Sequence, residues 1–132
     1  MTKNKVLFIV DDDVDDIQLF IEAVNEIDNS MGCSSAKNGE DALTKLQASD
    51  KLPDIIFLDL NMPKLDGKQC LVKLKKDPRL KDIPVVIYST SSSPKDMEEM
   101  EKLGAIFYLV KPETFTDLCV QLARLIRTRG RM

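Results

Sequence analysis

Along the chain, short runs of apolar residues alternate with stretches in which apolar residues recur every three or four positions. The run Val6-Leu7-Phe8-Ile9-Val10 stops abruptly at acid, as a parallel strand covered on both faces should. From Val14 onward, Ile17, Phe20, Ile21, Val24 and Ile27 keep the spacing of a helix with one buried stripe. Residues 33–37 form the weakest strand, short and serine-rich; it is placed there because it lies between two clearer elements and ends at the turn pair Asn38-Gly39. A helix over residues 40–48, with Ala42, Leu43 and Leu46 on one face, leads to a third strand over residues 54–59. The third helix begins near Gly67 and is stopped by Asp77-Pro78, because proline cannot continue the hydrogen-bond ladder. Residues 83–88 form the fourth strand. A serine-rich turn then leads to Pro94, which suits the first turn of an acidic helix ending at Leu103-Gly104. Residues 105–110 are the fifth strand, and Phe115, Leu118, Cys119, Leu122, Leu125 and Ile126 mark a closing amphipathic helix.

Five strand–helix units joined by right-handed crossovers predict an α/β fold, a doubly wound parallel sheet with helices on both faces. The 132 residues suit one domain, and the alternation uses them up, so we expect a single domain over residues 1–132 with no output domain. Hydrophobic residues at 43% and charged residues at 31% are enough for a real core and exclude disordered and collagen-like classes. No apolar stretch approaches the ~18 residues of a membrane span, and five apolar residues after the N-terminus are too few for a secretory signal. A cytoplasmic protein without a membrane partner is expected.

A net charge of −3 offers no overall attraction to nucleic acid. Cys33, Cys70 and Cys119 have no paired metal spacing and read as small hydrophobes in a reducing compartment. Arg124, Arg127, Arg129 and Arg131 crowd the end of the last helix, where its dipole favours cations by ~0.3–1 kcal/mol each. The absence of histidine removes His-based triads, His zinc ligands and imidazole acid–base chemistry together. Any chemistry must therefore come from carboxylates, hydroxyls or lysines.

In an open α/β sheet the ligand crevice lies beyond the carboxyl ends of the strands. There the sequence puts Asp11-Asp12, Asp59, Ser89 and Lys111-Pro112. Asp11, Asp12, Asp13, Asp15 and Asp16 crowd five negative charges into six residues, and each pair at ~4 Å costs about 1 kcal/mol even at the dielectric of water. Asp13, Asp15 and Asp16 are accounted for by a helix's first turn, which welcomes acid. Asp11 and Asp12 share the crevice with Asp59, where three carboxylates repel unless a cation joins them. Hard oxygen ligands in a small acidic site point to Mg²⁺, with Mn²⁺ able to substitute. Lys111 adds a fixed cation and Ser89 a hydroxyl. Together these are the parts for phosphoryl transfer, which is mostly positioning and charge neutralisation. Asp59 would be the nucleophile and an aspartyl phosphate the product.

At these residues the chain resembles the receiver domain of bacterial two-component response regulators, particularly the single-domain kind similar to the chemotaxis receiver. The resemblance is carried by Val10-Asp11-Asp12, Asp59-Leu60-Asn61-Met62-Pro63 with Asp66-Gly67, Ser89, and Tyr108-Leu109-Val110-Lys111-Pro112. It implies the flavodoxin-like strand order 2-1-3-4-5, for which the chemotaxis receiver is itself a standard example. It implies a stand-alone phosphoprotein that accepts a phosphoryl group on Asp59 from a phosphohistidine of a sensor histidine kinase or phosphotransfer protein. Asp11, Asp12, Asp59 and the backbone carbonyl of Asn61 would hold the magnesium. It further implies that Lys111 pairs with the phosphoryl oxygens, that the Lys111–Pro112 bond is cis, and that Ser89 and Tyr108 are the switch pair. Tyr108 would change the face made by the fourth helix, fifth strand and fifth helix, where a downstream protein binds. A register one residue later would put Thr90 in the place of Ser89.

Two rival readings fit the same residues. An aspartate-nucleophile phosphatase normally needs an acid two residues after the nucleophile, a position held here by Asn61. A degenerate receiver would bind partners without being phosphorylated.

Overall fold

The computed structural model describes residues 5–129. Strands and helices alternate: β1 (Val6–Val10), α1 (Val14–Ile27), β2 (Gly32–Ala36), α2 (Gly39–Ala48), β3 (Ile55–Leu58), α3 (Gly67–Lys76), β4 (Val85–Ser89), α4 (Pro94–Lys102), β5 (Phe107–Val110) and α5 (Phe115–Arg129). The strands form one sheet in the order β2-β1-β3-β4-β5, every pair parallel. This is the doubly wound, flavodoxin-like arrangement that the alternation and the resemblance predict.

Period-two alternation within the strands divides the apolar residues between two cores. Phe8, Val10, Ile56, Leu58 and Ile87 meet Ala42, Leu46, Leu71, Leu74 and Met100 on the side of α2, α3 and α4. Leu7, Ile9, Phe57, Val86 and Leu109 meet Phe20, Val24, Leu118 and Leu122 on the side of α1 and α5. Phe20, wholly buried, packs edge-on against Phe57 and Tyr88, with ring centroids 4.8 and 5.7 Å away. That geometry suits aromatic quadrupoles.

Chain ends of the helices follow local chemistry. The Asp13 carboxylate caps α1 by accepting the Asp15 and Asp16 N–H groups at 2.9 and 3.2 Å. Asp66 and Gln69 form a reciprocal capping box on α3. Ser93 caps α4, which opens on Pro94. The serine-rich β2 lies at the sheet edge, pairing with β1 alone, which is why so few apolar residues suffice there. One clamp has no pattern in the sequence: the Arg79 guanidinium donates to the carbonyls of Leu46 at 3.0 Å, Gln47 at 3.2 Å and Ser49, closing the end of α2.

The thiols behave as hydrophobes. Cys70 is buried and Cys33 and Cys119 half-buried, all free; burial pushes Cys33 up to about 11 and Cys70 to about 12. Of the arginines at the end of α5, Arg127 is exposed, and Arg131 lies outside the described residues. Among the described residues, no helix is long and apolar enough to cross a membrane.

The loop after β3 is held against the start of α3. The Gly67 N–H donates to the Leu60 carbonyl at 2.9 Å, and a Cβ at Gly67 would lie 2.7 Å from Leu60 Cα, as well as against the Asp59 carbonyl. Only hydrogen fits, so glycine here serves close approach of two backbone segments. Gly67→Ala should lower unfolding stability by about 1–3 kcal/mol, measured by urea denaturation.

Candidate functional site

Parallel register brings the strand ends together. Val10 pairs with Leu58, Leu58 with Ile87, and Ser89 with Val110, so the residues that follow, Asp11, Asp59 and Lys111, emerge at one edge beside Ser89. Asp11 and Asp59 follow the two strands between which the winding reverses, the place where such sheets open a crevice. The sheet extends into the site: the Asp11 N–H donates to the Ala36 carbonyl at 3.0 Å, Asp59 N–H to Val10 at 2.9 Å, and Lys111 N–H to Ser89 at 2.7 Å.

Lys111 is the electrostatic centre. Its Nζ lies 2.8 Å from Asp11 Oδ2, 2.8 Å from Asp16 Oδ2 and 3.8 Å from Asp59 Oδ2. Burial alone would lower its affinity for a proton, but the hydrogen bonds and charges of Asp11, Asp16 and Asp59 outweigh that and raise it. The ammonium also sits 5.3 Å above the Tyr88 ring, and burial pushes the Tyr88 phenol up to about 12.

The carboxylates differ in environment. Asp11 is wholly buried. Burial pushes its carboxyl up, while Lys111 and the Asp13 N–H, donating to Oδ1 at 3.0 Å, pull against that. With an ammonium at 2.8 Å that holds its own proton tightly, the pair is ionised. Asp59, 6% exposed, is pushed up from 3.8 to about 6, first by burial and then by the charges of Asp11 and Asp12, against the pull of Lys111 and the Asn61 N–H. Asp12 is exposed, and the three acids bring carboxylate oxygens within 4.8 Å of one another. Two dry acids and one wet one, mutually repelling and made of hard oxygen donors, are a fitting cradle for a divalent metal ion that keeps some of its water.

The remaining predicted residues divide. Ser89, wholly buried, turns its Oγ to its own loop, accepting the Ser91 N–H at 3.1 Å; Thr90 is exposed. Ser91 is a small hub: its Oγ donates to Asp96 at 2.7 Å and its carbonyl accepts the Tyr108 hydroxyl at 2.9 Å. Half-buried Tyr108 is thus tied to the loop that follows Ser89. Asn61, exposed, meets Asp59 through its backbone N–H. The Lys111–Pro112 bond is trans, not cis, as are all peptide bonds among the described residues. Trans is the lower-energy isomer even before proline, by about 0.5–1 kcal/mol, and Lys111 is held by its backbone and ion pairs instead.

Two participants escape the sequence reading. Asp16 passes there for a solvated helix-start acid, yet it grips Lys111; Tyr88 passes for core, yet it floors the ammonium. Asp16 lies four residues before buried Phe20 and so in phase with the buried stripe, the clue that it has a partner.

A family model, the response regulator receiver domain, matches residues 7–123. The response regulator Rcp1 of Synechocystis sp. is 33% identical over 119 residues, spanning 86% of this chain and 81% of that protein. Among solved structures, the phosphorylated cyanobacterial phytochrome response regulator RcpA superposes with a TM-score of 0.87 at 32% identity, covering 95% of this chain and 93% of that one. The Mn²⁺-bound form of Rcp1 superposes with a TM-score of 0.81 at 31% identity, covering 92% and 91%. With the fold, the acidic cluster and the family match in agreement, the chain belongs to the response regulator receiver domains of two-component signalling, a family of phosphoacceptors rather than turnover enzymes.

Proposed function

We propose that this protein is a stand-alone receiver that takes a phosphoryl group onto Asp59 from a phosphohistidine of a sensor histidine kinase or phosphotransfer protein, and signals through a change of shape. The observation that carries this reading is Asp59 itself: an almost dry carboxylate beside two further acids and 3.8 Å from a buried ammonium. The likeness to RcpA, whose structure is of a phosphorylated form, supports it.

An Asp59 oxygen attacks phosphorus while the phosphorus–nitrogen bond to the donor imidazole breaks. The bonding pair returns to the ring nitrogen, which takes a proton from solvent. Asp11, Asp12, Asp59 and the backbone carbonyl of Asn61 would hold Mg²⁺, and Mn²⁺ should replace it, as the Mn²⁺-bound Rcp1 structure encourages. A divalent ion held by these residues would supply positive charge to offset that building on the phosphoryl oxygens. Lys111, 3.8 Å from Asp59, supplies a further positive charge.

The phosphoryl group adds about 1.5–2 negative charges and strong acceptors. Ser89 then turns its hydroxyl from the Ser91 N–H to a phosphoryl oxygen. With its N–H released, Ser91 shifts and Tyr108 loses its carbonyl partner, so the face made by α4, β5 and α5 changes. That face holds a cleft of about 410 Å³ lined by Met97, Met100, Phe107 and Tyr108, suited to a downstream protein.

Incubation with Mg²⁺ and acetyl phosphate should add one phosphoryl group, located at Asp59 by mass spectrometry and abolished by Asp59→Ala. A label elsewhere, or none, contradicts the reading. In the metal-free chain the Asp59 carboxyl should titrate near 6, followed through its side-chain carbon resonance by NMR. Stability should show the matching sign. The folded chain binds the Asp59 proton more tightly than the unfolded chain does, so ionisation costs nothing below an ordinary carboxyl pKa and its full amount above about 6. Asp59→Asn should therefore raise stability at pH 7.5 by on the order of 1–3 kcal/mol, the gain vanishing near pH ~3. Thermal melting at both pH values measures it.

A further inference from the structure

The Lys111 ammonium has three protons to donate. Two are taken, by Asp11 and Asp16, both at 2.8 Å, and Asp59 at 3.8 Å lies outside hydrogen-bond reach. Asp16 is therefore nearer the ammonium than the proposed acceptor is. Its place is fixed from below, because the cap carboxylate of Asp13 holds the Asp16 N–H at 3.2 Å and so sets the first turn of α1. Asp16 is not the sole anchor of Lys111. The side chain is 11% exposed, Asp11 holds the tip, and the backbone N–H is anchored on the Ser89 carbonyl at 2.7 Å.

We propose that Asp16 is a positioning residue that holds Lys111 in a resting pose and competes for it with the phosphoryl group on Asp59. The inference rests on the phosphoacceptor reading and adds the group that sets how readily the switch engages. When a phosphoryl anion arrives, its oxygens and the Asp16 carboxylate want the same cation, and they repel one another as well. Asp11 and Asp59 are both committed to the acceptor chemistry; Asp16 is the carboxylate that belongs to Lys111 alone. Its side chain is 33% exposed, so water screens part of its field and the effect is moderate.

The probe is beryllofluoride with Mg²⁺, a phosphoryl mimic for carboxylates, titrated by calorimetry into the full chain. Asp16→Asn, which keeps the shape and removes the charge, should tighten its binding by roughly two- to fivefold, and Asp16→Ala should do the same. Asp15→Asn removes an equal charge from the same helical turn, at an exposed residue that makes no ion pair with Lys111; it should change binding by less than about twofold. Affinity for Mn²⁺ alone, read from the free-ion paramagnetic resonance signal, should not rise in Asp16→Asn, since an acid near the cation site has been lost. Analogue binding that is unchanged or weaker in both Asp16 variants overturns the proposal. So does an equal gain in Asp15→Asn, which would make the effect a general field. Wild-type protein that binds no analogue overturns the phosphoacceptor reading together with this one, whereas wild-type binding without a gain in the variants overturns this one alone.

Discussion

One ammonium balances the carboxylates of this molecule's working edge. Lys111 has Asp11, Asp16 and Asp59 within 4 Å of its nitrogen, at a place where burial makes charge expensive. Without that cation, wholly buried Asp11 would be an uncompensated charge, an arrangement that costs several kcal/mol when one partner is removed. With it, Asp11 stays ionised, and Asp59, farther off and less well paired, remains basic enough to sit near 6. The chemistry is poised because the compensation is unequal.

That inequality is set by the sheet rather than by the loops. Four parallel strands end in register, and the main chain continues the ladder one residue further at Asp11, Asp59 and Lys111. Two apolar cores fix the height of these ends, and Gly67 lets the loop after Asp59 lie directly on α3. The segments that follow are linked by side-chain hydrogen bonds. Ser89, Ser91, Asp96 and Tyr108 form a short hydrogen-bonded path from the site to the outer face of β5, each link made of one replaceable contact.

Much of this was legible in the sequence because it rests on strong local patterns. The apolar runs ending at Asp11, Asp59 and Lys111 mark strands and their open ends at once, and Pro78 and Pro94 punctuate the helices. The serine-rich β2 was harder, since an edge strand needs little hydrophobic content. What stayed hidden depends on pairing across the fold. Asp16 and Lys111 are 95 residues apart, and five acids within six residues invite a single explanation for the whole group; only the helical phase shared with Phe20 separates Asp16 from Asp15. The Arg79 clamp on α2 spans about thirty residues and follows no periodicity. The Lys111–Pro112 isomer is likewise not written in local pattern, and the family resemblance pointed to the wrong one.

Lys111 occupies, by charge, the ground that a divalent cation would contest. The most direct measurement is the Mn²⁺ affinity of Lys111→Met at neutral pH, from the free-ion paramagnetic resonance signal, beside that of the wild type. Removing the ammonium leaves Asp11 and Asp59 without their compensating charge, so the variant should bind Mn²⁺ tighter by about tenfold or more. Equal or weaker binding would show that the ammonium and the metal do not share these carboxylates.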